Sequence, residues 1–66
     1  MKRRNYRVLH DKTQIEVMCG NKSIIIAKDE KASELIRMWI EKVPSFTEVS
    51  NLILTNQDLT IIETIG

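Results

Sequence analysis

The chain has 66 residues, 42% of them hydrophobic and 29% charged, and a formal net charge of +1. This length bounds it at one domain spanning 1–66, and ten Ile, five Leu and four Val furnish a core, which excludes wholesale disorder. The longest run without a polar residue is Ile24-Ile25-Ile26-Ala27, far short of the ~20 apolar residues of a membrane-spanning helix, so no membrane partner is expected.

Met1-Lys2-Arg3-Arg4-Asn5 opens the chain as a basic arm, with no apolar segment after it of the kind that marks a secretory signal. Residues 5–10 then alternate as a strand, with Tyr6, Val8 and His10 on one face. His10-Asp11-Lys12-Thr13 is a polar break of hairpin length. Residues 13–19 alternate again, Ile15, Val17 and Cys19 pointing one way and Gln14, Glu16 and Met18 the other. Gly20-Asn21 is a strong turn signal, since both residues tolerate positive φ. Ser23 to Ala27 is a β-branched run that suits a third strand. Residues 5–27 therefore read as a three-stranded antiparallel meander.

The next segment reads as a helix. Asp29 is a good N-cap and Glu30 places a negative charge at the positive end of the helix dipole. Ala32, Leu35, Ile36, Trp39, Ile40 and Val43 form one apolar stripe at a period of 3.6, opposite Glu30, Lys31, Glu34, Arg37, Glu41 and Lys42. Pro44 stops the helix. Ser45-Phe46-Thr47-Glu48 has the spacing of a capping box, which starts one short helical turn if it is not simply a loop. Leu52–Thr55 and Leu59–Ile65 are β-rich around a turn-like Asn56-Gln57-Asp58, which predicts a closing hairpin. The expected fold is α+β, in the order β-β-β-α-β-β, with one amphipathic helix laid across a mostly antiparallel sheet.

Little here suits catalysis. Cys19 and His10 are the one conceivable nucleophile–base pair, both on the inner face of adjacent strands, but a buried thiol and a strand-end His are ordinary structural residues. The acids are scattered, and two glycines cannot build a phosphate loop. No catalytic residue, metal or cofactor is expected. A single cysteine cannot form an internal disulfide, which makes the cytoplasm the expected compartment.

Charge is unevenly distributed. Residues 1–12 hold five bases and one acid, a net of +4, whereas residues 13–66 hold five bases and eight acids, a net of −3. A basic end formed by Lys2, Arg3, Arg4 and Arg7, with Tyr6 available for stacking, gives one functional expectation, a nucleic-acid-binding regulator. The pI of 7.9 and the acidic remainder count against it, because nucleic-acid domains usually exceed a pI of about 9.

Size favours the other expectation. A core in a chain below ~70 residues rarely contributes more than ~3–5 kcal/mol, and association commonly adds the rest. One helix covers one sheet face, leaving Leu9, Met18, Ile25, Ile53 and Ile62 as candidates for an apolar surface. The leading expectation is thus a small non-catalytic protein-binding module: a regulator, inhibitor or accessory subunit, a homodimer or partner of another protein. Met18, Ile25, Ile53 and Ile62 are its expected interface positions.

Overall fold

A computed structural model describes residues 3–66 of the chain. Its elements are β1 (Arg7–His10), β2 (Gln14–Cys19), β3 (Lys22–Ala27), α1 (Glu30–Lys42), α2 (Phe46–Thr55) and β4 (Ile61–Ile65). The strands form one antiparallel sheet in the order β1-β2-β3-β4, so β4 returns from the helices to the free side of β3. The α+β class and the amphipathic helix across an antiparallel sheet are those the sequence implies. The radius of gyration of 10.8 Å matches the value of about 10.8 Å that compact chains of this length adopt.

Local chemistry explains most of the boundaries. Cys19 pairs with Lys22 across the two-residue turn Gly20-Asn21, where Gly20 takes φ +61° and Asn21 does not need positive φ. Glycine at the first central position suits the right-handed twist of a tight hairpin. Asp29 caps α1, its Oδ1 accepting from the Ala32 N–H at 2.7 Å. Val43 closes the helix, donating its N–H to the Trp39 carbonyl.

Residues 52–55 differ from the sequence expectation: they belong to helix α2 and not to a strand. Phe46, Val49 and Ile53 recur at helical spacing, and Val49 and Ile53 are fully buried against the core. The run Leu52-Ile53-Leu54 fits either period locally, and burial of one side decides for the helix. Ser45 makes no side-chain capping bond. Instead, Asn5 Oδ1 accepts from the Phe46 N–H at 2.7 Å, and the Asn5 N–H donates to the Pro44 carbonyl at 3.0 Å. The Tyr6 hydroxyl donates to the Val43 carbonyl. Residues 5 and 6 therefore clasp the α1–α2 corner, satisfying backbone groups that helix ends leave open.

Both helices join a single core with one face of the sheet. Ile15 and Val17 of β2 and Ile24 and Ile26 of β3 meet Ala32, Ile36 and Trp39 of α1 and Val49 and Ile53 of α2. Trp39 is 7% exposed, as its place on the apolar stripe demands.

Candidate functional site

Direct partners in an antiparallel ladder share a face. The pairs Ile15–Ile26 and Val17–Ile24 define the covered face. The residues between them define the other, which no element packs on. One row across that open face runs Leu9–Glu16–Ile25–Glu63, and the next runs Arg7–Met18–Ser23–Ile65. Leu9 is 55% exposed and Ile65 45%, whereas Met18 and Ile25, on the central strands, are half-buried by their neighbours.

Of the interface positions the sequence suggests, Met18 and Ile25 therefore lie on this face. Ile62 is 53% exposed and sits on β4 at an irregularity where Ile61 pairs with Ile26 and Glu63 with Ile25. Ile53 does not belong with them. It is wholly buried on α2, because the segment is helical and turns that side chain into the core. Sequence reasoning omitted Ile65, Glu16 and Glu63 from the surface. The Gly20-Asn21 turn already aligns Glu16 with Ile25, so that part of the row was readable, but the β4 register was not.

β4 is the second surface feature. Every one of its residues is exposed, and it pairs with β3 alone. An uncovered edge strand offers unpaired backbone groups to another chain, and the irregularity at Ile62 and the charge on Glu63 only partly blunt it. On the helical side, Leu54 of α2 and Thr64 of β4, which pairs with Ile24, line a shallow groove with Phe46 and Ile24.

The basic residues divide. Lys2 lies outside the described residues. Arg3, Arg4 and Arg7 are exposed, and the Arg4 guanidinium lies 5.7 Å from the centroid of the Tyr6 ring. Arg4 and Arg7 border one cleft of about 480 Å³ with Asn5, Met18, Cys19 and Gly20. Tyr6 also borders that cleft but offers little surface for stacking on bases: the residue is 5% exposed and its hydroxyl is engaged at Val43. Burial pushes its phenol above the ordinary value near 10, a shift that the Arg4 charge partly opposes.

His10 and Cys19 do not meet. His10 pairs with Ile15, four residues along β2 from Cys19, which is about 13 Å at ~3.3 Å per residue. Cys19 is half-buried beside the cleft of Arg4 and Arg7, whereas His10 borders Lys28, Ser33 and Arg37 at the other end of the hairpin. Among the described residues no group of three or more His, Cys, Asp or Glu is placed to hold a metal ion. Nor is any helix long and apolar enough to cross a membrane. Comparison with protein-family models, with curated proteins and with solved structures finds no match to this chain in any of the three.

Proposed function

We propose that the protein is a small non-catalytic protein-binding module, a regulator, inhibitor or accessory subunit acting in the cytoplasm. It docks through the open face of its sheet and associates with its own copies along the β4 edge. The observation that carries this reading is the open face itself, where Leu9, Met18, Ile25 and Ile65 lie on the side of the sheet opposite both helices. These four stand diagonally to one another among Arg7, Glu16, Ser23 and Glu63, and apolar side chains grouped within polar ones on an uncovered face suit an interaction site. The unpaired β4 edge supports self-association, because strand addition there would satisfy its backbone and cover Ile61 and Ile62.

Light scattering over a concentration series, paired with thermal melts, tests the reading. A melting temperature that rises with protein concentration supports association through mass action. Replacing Ile25 with Asp should abolish partner capture, and replacing Ile62 with Asp should shift the protein toward monomer. A monomer at all concentrations that captures no protein overturns the proposal.

The cleft shared by Arg4 and Arg7 favours a second reading, a nucleic-acid-binding regulator. Phosphate contacts make such binding weaken steeply with salt, whereas an apolar interface holds or tightens. Loss of Arg3, Arg4 and Arg7 would then abolish binding while changes at Ile25 act only through stability.

A further inference from the structure

On the reading of the open face as a docking surface, we infer that its occupant is a basic amphipathic helix of another protein, not a second copy of this chain. The row Leu9–Glu16–Ile25–Glu63 alternates apolar and acidic residues across all four strands, leaving two carboxylates astride Ile25. A partner that buries Ile25 must bring cations to Glu16 and Glu63, since an unpaired charge taken out of water is strongly unfavourable.

A second copy does not supply them. Turning one sheet face onto another about a two-fold along the strands sets Glu16 against Ile25 and Glu63 against Leu9. A two-fold across the strands sets Glu16 against Met18 and Glu63 against Ile65. Each carboxylate then faces an apolar side chain. The exposed sides of the helices fare no better: the bases of α1, Lys31, Arg37 and Lys42, stand six and five residues apart among Glu30, Glu34 and Glu41, so no two have the spacing the row asks for, and no Lys or Arg occurs in residues 43–66.

The spacing selects the shape of the partner. Glu16 and Glu63 stand two strand separations apart, roughly 10 Å between backbones. Two bases seven residues apart on a helix are separated by about 10.5 Å on nearly one face, with positions three or four between them free to carry an apolar side chain for Ile25. An extended strand covers ~10 Å in three residues, which puts its two bases on opposite faces. A helix with Lys or Arg at i and i+7 and Leu-like residues between them therefore fits this row.

The test uses a synthetic 18-residue amphipathic peptide with a leucine stripe and lysines at two positions seven apart, and a twin with glutamates there. Amide NMR shifts of the intact protein locate the binding, and calorimetry measures it. The expected result is that the lysine peptide moves the amides of Glu16, Ile25 and Glu63 and binds at least tenfold more tightly than its twin. The double variant Glu16→Gln, Glu63→Gln should erase that difference without moving the denaturation midpoint. Equal binding of the twins, shifts confined to the helices, or no shift at millimolar peptide overturns the inference. If the open-face amides move with protein concentration alone, the face takes a second copy: the inference falls and the binding-module reading stands. A face that answers neither to peptide nor to concentration, on a protein that captures no partner, removes both.

Discussion

The two faces of one sheet are built from the same strands and serve different ends. Ile15, Val17, Ile24 and Ile26 point to the helices and are sealed, each β-branched side chain meeting another across the ladder. One residue away along the same strands, Glu16, Met18 and Ile25 face outward among charges, with Leu9 and Ile65 beside them. Alternation sorts side chains to faces, but it does not decide which face becomes the core. That choice falls to the helices, whose apolar sides contribute Ile36, Trp39, Val49 and Ile53 to one face and nothing to the other. The covered face should hold the stability, and the open face the specificity.

The sharpest way to break this division is at Trp39. Replacing it with Ala removes the largest side chain over the covered face and should cost about 3–5 kcal/mol, comparable to the whole stability of a domain this small. Urea denaturation should show the variant largely unfolded in buffer. A loss below ~1 kcal/mol would mean that the helix does not seal the sheet.

Ile53 comes next, because it was expected on the open surface and lies in the core. Ile53→Ala should cost about 2–5 kcal/mol, with partner binding lost only as far as folding is lost. Denaturation midpoints read the first effect, and capture assays at temperatures where the variant stays folded read the second. An unchanged midpoint with weakened capture would return Ile53 to the surface.

That misplacement shows where the sequence stops being legible. The α1 stripe, the Asp29 cap and the Gly20-Asn21 hairpin depend on neighbours within a few residues, so spacing alone exposes them. Helix α2 depends on distant partners. Its first N–H is taken by Asn5, 41 residues away, and its helical period is chosen by what Val49 and Ile53 bury against. The open face was half legible: the Glu16–Ile25 pairing follows from the turn, but the position of Glu63 depends on β4 crossing to β3 with a register irregularity between Ile25 and Ile26. No local pattern announces that pairing.

The clasp at the helix corner gives a smaller effect with a pH signature. Tyr6→Phe leaves the buried-side Val43 carbonyl without its donor and should cost about 1–3 kcal/mol. Burial raises the Tyr6 phenol in the folded state, so the unfolded chain releases that proton first. Stability that depends on the neutral phenol is complete below about pH 10 and falls as pH climbs through that value toward the folded-state pKa. The comparison that isolates it is the difference in denaturation midpoint between the native protein and the Phe variant from pH 8 to 11. It should narrow as pH rises, and a constant difference would mean that the phenol ionises alike in both states.

The smallest effect on stability is expected at Ile25, and its smallness carries the contrast between the faces. Ile25 neighbours Ile24 and Ile26 in sequence and is as β-branched as they are, yet it is only half-buried, between Glu16 and Glu63. Ile25→Thr keeps the β-branch and the ladder hydrogen bonds, so the strand loses only part of a partly solvated cross-strand contact. That should cost under about 1 kcal/mol. Ile26→Thr makes the identical chemical change one residue away, where it buries a hydroxyl in a sealed apolar core and should cost several times more. Measuring both midpoints in urea at equal slopes removes strand propensity from the comparison, leaving only the difference between faces. Equal losses would mean that the outward face is packed in solution as tightly as the inward one, with something other than this chain's own helices covering it at the concentration used. Repeating the pair at tenfold dilution then tells which: an Ile25 effect that shrinks on dilution belongs to an associated species, and one that persists belongs to the monomer.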